Sequence, residues 1–153
     1  MNTQKEPGIA LEHIVLLKSN VEFQLSNQDA EWEYNLCLTD LQRLKSEDES
    51  NLDIFASFDV MHGIKKPKFK FTCSFVAHYT KKDGKGLDLK DFTSAMALAH
   101  IIPYLREYIS NITNRLPAPV LILAPINTYA MIQEYEERKR RSTEKKIDEK
   151  NES

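Results

Sequence analysis

The sequence is poor in the residues and spacings that mark metal-binding and disulfide-rich proteins. It contains only two cysteines, Cys37 and Cys73, and four widely separated histidines. No Cys-x-x-Cys or His-x-x-His spacing occurs, so nothing predicts a metal site. Two reduced, buried thiols in a cytoplasmic protein are the simplest interpretation, although the count also allows one disulfide.

Long apolar runs and a strong net charge are missing as well. No stretch approaches the length of a membrane helix, and the N-terminal MNTQKEPG lacks the charged-then-apolar order of a signal peptide. We therefore expect a cytoplasmic protein without membrane insertion. A formal net charge of −2 argues against nucleic acid as the partner. With 153 residues, 41% of them hydrophobic, the chain suits a single soluble domain with a real core.

Catalytic motifs are also absent. The segment 82–86, KDGKG, has glycines and lysines, but no Gly-Lys-Ser/Thr ending opens a helix after it. It is typical of a turn between a strand and a helix rather than of a phosphate-binding loop. Serine and histidine residues lack the context of a nucleophile elbow, and no carboxylate pair stands on an apolar strand. We predict neither an enzyme nor a cofactor.

The first half of the chain predicts four strands. Apolar and polar residues alternate over 21–25, from 32 onward, over 52–60 and over 69–77, as in strands with one buried face. The short turns between these segments predict an antiparallel meander. Ile14–Leu17 does not alternate, so this part is either buried on both faces or interrupted by a bulge.

The second half predicts helices. Asp91 can cap a short helix, and a longer one follows with an apolar stripe at spacings of three and four, made of Ile101, Tyr104, Leu105, Tyr108, Ile109 and Ile112. Pro103 marks either its first turn or a kink. Prolines at 117 and 119 end this helix, and Asn127 or Thr128 can cap a final one.

These elements together predict an α+β fold, with a four-stranded antiparallel sheet, a long helix, a prolyl loop and a C-terminal helix. We assign residues 1–8 to a flexible N-terminus and 9–136 to the folded domain. After Tyr135 the sequence is almost free of apolar residues. Residues 137–153 are therefore predicted to form a charged tail, in which the final helix frays into disorder.

Two short motifs in the second half resemble those of a known family. Residues 103–107 read PYLRE, and 123–127 read LAPIN. Their order, their separation and the strand-rich half upstream resemble the SecB family of protein-export chaperones. The resemblance covers roughly residues 9–136. It implies an ATP-independent chaperone that holds unfolded polypeptides in an apolar groove and works as a homo-oligomer, a dimer of dimers.

The resemblance also assigns residues to two surfaces. By position, the client groove would be lined or bordered by Trp32, Leu36, Leu38, Phe71, Cys73, Phe75 and Ile132. The long helices of the family pack between subunits, which implies an oligomer interface at Tyr104, Leu105, Tyr108 and Ile109. From the residues alone, the same aromatic strand faces also suit an ordinary core under the helices.

Some positions depart from the export chaperones. Family members dock on the SecA motor partly through acidic residues, and the aligned positions here, Asn20, Gln24 and Ser74, are uncharged. We therefore expect weak binding to SecA or none. SecB-like proteins also serve as dedicated chaperones of antitoxins, a role that needs no motor-docking face.

Two alternatives concern the same surfaces. The first is a regulatory adaptor that binds one folded partner through its sheet face. The second uses the basic run Arg138–Arg141 to bind nucleic acid or an acidic partner. Glutamates nearby, at 134, 136, 137 and 144, favour a solvated helical face with ion pairs instead.

Overall fold

The computed structural model describes residues 8–23, 34–62, 69–82, 86–116 and 120–152. The elements within them are β1 (Ile9–Phe23), β2 (Tyr34–Lys45), β3 (Asn51–His62), β4 (Phe69–Lys81), a 3-10 turn (Leu89–Asp91), α1 (Ser94–Thr113) and α2 (Thr128–Asn151). The four strands form one antiparallel sheet, and the two helices confirm the predicted α+β class. Most of the predicted flexible N-terminus, the glycine turn at 83–85 and the prolines at 117 and 119 lie outside the described residues.

The strand order is β1-β4-β3-β2, so the predicted four-strand meander is wrong for β1. Strands β2, β3 and β4 do follow one another as a meander, but β1 pairs with β4 and not with β2. Phe23 is opposite Phe69, which is opposite His62, which is opposite Tyr34. The end of β1 is thus about 14 Å from the start of β2, a gap that the intervening residues can span.

Bulges explain the irregular patterns in the two edge strands. In β1 the register shifts between Leu11 and His13 and between Leu16 and Lys18. Each extra residue shifts by one position the alternation of side chains between the two faces of the sheet. Ile14 and Leu16 therefore lie on the same face as their partners in β4, Ala77 and Phe75. Of the two explanations for Ile14–Leu17, the bulge is therefore confirmed. A third shift, between Leu38 and Asp40, returns Leu41 to the same face of β2 as Leu38.

Helix α1 covers the middle of the sheet. Its inner face is fully buried at Leu98, Ile101, Leu105 and Ile109, against the apolar residues of β3 and β4. Thr93 caps the helix by accepting a hydrogen bond from Met96 N, at 3.3 Å. Asp91, the predicted cap, instead ends the 3-10 turn, because Thr93 is the residue with extended backbone at the helix start. Pro103 lies inside α1 and not in its first turn.

Helix α2 is longer than the sequence predicts. Asn127 caps it by accepting a hydrogen bond from Ala130 N, at 3.1 Å, and the helix continues to Asn151. The segment predicted as a disordered tail is therefore helical through Asn151. Only Met131 in α2 is buried, so most of the helix rests on its own hydrogen bonds and on contacts of its first turns.

Candidate functional site

The segment 120–127, between the two helices, is held in place by hydroxyl groups of α1. Ser110 donates to Leu121 O at 3.1 Å, and Leu121 N donates to Thr113 Oγ1 at 2.9 Å. Thr113 Oγ1 in turn donates to Ile109 O at 2.8 Å. Both backbone groups of Leu121 are thereby satisfied without a strand partner, which lets an extended segment lie beside a helix.

A second attachment joins this segment to the sheet. Ala124 N donates to the hydroxyl of Tyr34, at the start of β2, over 2.9 Å. Leu123 is buried in the core, while Leu121 and Ile126 are partly exposed and pack against its edge. The segment therefore enters α2 from a fixed position close to β2.

Arg138 fastens α2 to the outer edge of β2. Its Nη2 donates to Leu38 O at 2.7 Å, its Nη1 contacts Cys37 Sγ, and its Nε donates to Glu134 O at 3.3 Å. Leu38 lies next to the bulge, where the strand edge offers an unpaired carbonyl. A guanidinium presents several donors in a fixed plane, which suits it to bridge a helix and a strand edge.

Two clefts open between α2 and β2, one on each side of Arg138. The larger, with a volume of about 460 Å³, is lined by Leu38, Thr39, Tyr135, Arg138, Lys139, Ser142, Thr143 and Lys146. The smaller, of about 300 Å³, is lined by Asn35, Leu36, Cys37, Glu134, Glu137, Arg138 and Arg141. We call them the basic cleft and the mixed cleft.

Apolar side chains surround the same region without being fully covered. Those that pack against the core with part of their surface exposed are Tyr34, Leu36, Leu121, Ile126, Ile132 and Tyr135. Ile122 and Tyr129 are more open, with 71% and 69% of their surface exposed. An apolar surface of this kind, next to two clefts, can bind an extended polypeptide by burying its apolar side chains.

The structure separates the predicted groove residues into two groups. Leu36 and Leu38 lie at the clefts, and Ile132 is partly exposed on the first turns of α2. Phe71, Cys73 and Phe75 are buried under α1. The ring of Tyr108 lies 5.5 Å from that of Phe71 and 6.5 Å from that of Phe75, centroid to centroid. Trp32 lies outside the described residues.

The predicted interface residues also divide by exposure. Leu105 and Ile109 are fully buried inside the subunit, so they have no surface to offer a second copy. Tyr104 is 48% exposed, and Tyr108 is partly exposed. The spacing of three and four residues identified one face of α1 correctly, but the sheet of the same chain occupies most of it.

Of the three neutral positions, Asn20 is exposed on β1, and Gln24 lies outside the described residues. Ser74 is buried, with 5% of its surface exposed, and its hydroxyl pairs with that of Ser57 at 2.9 Å. It lies on the sheet face away from the helices.

Both cysteines are free thiols, which decides against the disulfide. Burial, with a smaller contribution from Asp59, raises the pKa of the Cys73 thiol to about 12. A thiol that stays protonated at neutral pH is a poor nucleophile and a poor metal ligand. Among the described residues, no group of three or more histidine, cysteine, aspartate or glutamate side chains could hold a metal ion.

Several residues that build this region are not predicted by the sequence patterns. Arg138 belongs to a basic run whose favoured interpretation is a solvated face, and no pattern marks Ser110 or Thr113. Within the described part of the chain, none of the expected glutamates forms an ion pair with the basic run. One sequence signal could predict the attachment of α2 to β2. It is an apolar segment between prolines, followed by a helix that carries an arginine on its apolar stripe.

Comparison with known proteins gives an informative likeness in structure. No protein-family model matches the sequence, and no curated protein has significant sequence similarity to it. The fold resembles that of the SecB-like chaperone Rv1957 of Mycobacterium tuberculosis, solved in complex with a ChAD peptide from the HigA1 antitoxin. The TM-score is 0.61 at 19% identity, over 77% of this chain and 90% of that one.

A protein of unknown function from Streptococcus agalactiae aligns over 76% of this chain and 97% of its own, with 11% identity and a TM-score of 0.42. This second likeness is too weak to bear on fold or function. None of the helices in the described residues has the length and hydropathy to cross a bilayer. At 19% identity the first likeness establishes the fold alone, and the chain therefore has a SecB-like fold.

Proposed function

We propose that this protein is an ATP-independent chaperone that binds unfolded polypeptides and keeps them from folding or aggregating. The observation that carries the proposal is the partly exposed apolar surface between β2, the segment 120–127 and α2. It lies on a fold shared with a chaperone that binds an antitoxin peptide. Binding the unfolded chain and not the native one shifts a client away from folding by mass action.

We assign to clients a smaller set of the groove residues. Leu36 and Ile132 are partly exposed and can offer apolar area, whereas Phe71, Cys73 and Phe75 are buried in the core. At about 25 cal/mol per Å² of apolar area, a short client segment gains only modest affinity from one such surface. We therefore propose a homo-oligomer larger than a dimer, a dimer of dimers, in which several surfaces act on one client through effective concentration.

Within this function, a dedicated client such as an antitoxin suits the protein better than general export. The positions that would dock the SecA motor are neutral in the sequence, and Ser74 is buried. Electrostatic attraction between acidic and basic surfaces sets much of the rate and specificity of such docking. We place the protein in the cytoplasm, where unfolded clients arise, and assign it no cofactor, no nucleic acid and no membrane insertion.

An aggregation assay tests the proposal. The protein should suppress aggregation of an unfolded polypeptide without ATP, and it should ignore the same polypeptide once folded. Leu36→Asp and Ile132→Asp should each weaken the effect, since a carboxylate on an apolar contact surface costs several kcal/mol to desolvate. Ile147→Asp is the matched control, because Ile147 is 53% exposed on α2 and lines neither cleft.

The controls decide between the proposal and its alternatives. Circular dichroism and mass measurements must show that each variant keeps its fold and assembly. Equal binding to folded and unfolded forms of one client would favour the regulatory adaptor. Equal losses in all three variants would place the client surface elsewhere.

A further inference from the structure

We propose that the basic cleft selects clients in which an apolar segment is followed closely by acidic residues. This inference rests on the proposed chaperone function and specifies the chemistry of its clients. It comes from the way in which the inner stripe of α2 changes character along its length. It also assigns a role to the basic run, which the proposed function leaves unused.

The stripe of α2 that faces β2 is apolar at its start and basic further on. Met131, Ile132 and Tyr135 occupy the first turns; Met131 belongs to the buried core, and Ile132 and Tyr135 pack against it. At spacings of three and four residues the same stripe continues into the side chains that line the basic cleft, namely Arg138, Lys139, Ser142, Thr143 and Lys146. One client lying along the helix would therefore meet apolar contacts first and cations next.

The lining of the basic cleft is complementary to carboxylates. It contains three cationic side chains and four hydroxyl groups, and no aspartate or glutamate. Lys139 Nζ lies 6.0 Å from the ring centroid of Tyr135, at the boundary between the apolar and basic parts. Within the described residues, Lys139 and Lys146 form no ion pair that would neutralise them. These two lysines, which have no acidic partner in the described part of the chain, are available to carboxylates of a bound chain.

The mixed cleft provides a contrast inside the same molecule. It is formed by the same helix and strand, but Glu134 and Glu137 face Arg138 and Arg141 there. The charges of that lining balance, so it gives little preference for either sign of client. Of these two clefts, the basic one carries unbalanced charge, and this sets the direction in which an acidic segment would extend from the apolar contacts.

The helix geometry sets the spacing of the client's residues. At about 1.5 Å of rise per residue, Lys139 lies about 10 Å and Lys146 about 21 Å beyond Ile132 along the axis of α2. An extended chain advances about 3.3 Å per residue, so these distances correspond to about three and six client positions. We expect acidic residues three to six positions beyond the apolar residue that contacts Ile132.

Labelled peptides test this directly with the full chain. Three peptides share one apolar segment and carry glutamate, glutamine or lysine at the third and sixth positions beyond it, and fluorescence anisotropy gives each Kd. The glutamate peptide should bind about 2- to 30-fold more tightly than the glutamine peptide, the range for two exposed ion pairs. The lysine peptide should bind most weakly. Raising the salt to 1 M should remove the differences, since the Debye length falls to about 3 Å.

Matched variants locate the effect. Lys139→Gln with Lys146→Gln should bring the glutamate peptide to the affinity of the glutamine peptide. Arg140→Gln with Lys145→Gln changes the net charge equally on exposed residues that line neither cleft, and it should leave the preference intact. All four positions are exposed, so both variants should fold as the parent does.

The outcomes separate this inference from the function on which it rests. If all three peptides bind equally and neither variant matters, the charge preference is overturned while the chaperone function stands. If no peptide binds and aggregation is not suppressed, both fail. If an oligonucleotide displaces the glutamate peptide and itself binds more tightly, the basic cleft is a nucleic-acid site and the inference is overturned. Tight binding of the glutamate peptide alone, lost only in the cleft variant, supports it.

Discussion

The two edges of the sheet are treated in opposite ways. The edge of β2 is covered by α2 of the same chain, through Arg138 and the apolar first turns of the helix. Strand β1 pairs with β4 along one side, and its other side is the open edge of the sheet. Four large hydrophobic residues of this strand are exposed, namely Leu11, Val15, Leu16 and Leu17. An uncovered edge is a template for pairing with another chain, so natural proteins cover it, charge it or distort it.

On the proposed function, we expect the two edges to have separate tasks. Strand β1 carries two bulges and charged residues such as Glu12, Lys18 and Glu22, which limit unselective pairing. Its exposed apolar residues still suit a contact with a second copy. Strand β2 instead forms clefts with a helix that few buried contacts hold. We infer that β1 serves assembly, while β2 and α2 serve client binding.

The largest effect is expected from charges on the open edge. Val15→Lys with Leu17→Lys places two cations on β1, where they would face their own copies across a symmetric contact. A dimer of dimers has one interface within each dimer and another between the dimers. If β1 forms one of these, light scattering should show a tetramer for the parent protein and a dimer, of half that mass, for the variant. Tyr104 on α1 would then hold the remaining dimer.

Leu44→Lys is the control for that change. Leu44 is an exposed apolar residue on β2, with 61% of its surface open, and its substitution should leave the mass unchanged. A monomer mass for the parent protein at micromolar concentration would contradict both the assembly and its assignment to β1. An unchanged mass in the β1 variant would move the interface elsewhere.

A smaller effect is expected from releasing the covered edge. Arg138→Met keeps the length of the side chain but removes its donors to Leu38 O and its contact with Cys37. The free energy of unfolding should fall by about 1 kcal/mol, the net value of such a hydrogen bond near solvent. Urea denaturation measures this loss. Hydrogen exchange should quicken in the first turns of α2 and not in β3 or β4.

Arg140→Met provides the comparison for Arg138. It removes the same charge from an exposed position two residues further along α2, so it should change stability by less than Arg138→Met. Equal effects of the two substitutions would show that net charge, and not the attachment to β2, is responsible.

Regular patterns let the sequence predict most of the elements. Apolar residues recur at every second position through most of β3 and β4, and the apolar stripe of α1 follows helical spacing, so the sequence predicts these elements closely. Strand order was not predictable in the same way, because the alternation in β1 says which face is buried and nothing about whether β2 or β4 is its neighbour. The bulges in β1 left a visible irregularity, and the sequence could offer only two explanations for it.

The site was less predictable because it depends on contacts between distant residues. Arg138 reads as one more charge in a basic run, and only the position of α2 beside β2 turns it toward Leu38 O. Likewise, Phe71 and Phe75 have the spacing of a strand face, but Tyr108 determines that they lie under a helix. The extent of α2 was underestimated for a related reason. Its second half lacks the apolar periodicity that identifies a packed helix, although it contains good helix formers.

The smallest effect is expected at the turn that joins the covered strand to β3. Asp48 accepts hydrogen bonds from the hydroxyls of Ser46 and Ser50, each at 2.6 Å, and from Ser50 N at 3.1 Å. These hydrogen bonds, that of Ser46 first, lower the pKa of Asp48 from 3.8 to about 2. A carboxyl group whose pKa is lowered on folding stabilises the fold above its unfolded pKa, and this contribution disappears as the pH falls through the folded value.

The carboxyl resonance of Asp48 should therefore titrate near pH 2, and Ser46→Ala should move its midpoint back toward 3.8. The stability difference between the parent and Asp48→Asn should be constant above about pH 4 and shrink below it. A midpoint near 3.8 in the parent would show that the turn does not hold its carboxylate, and that the register of β2 rests on its pairing with β3 alone.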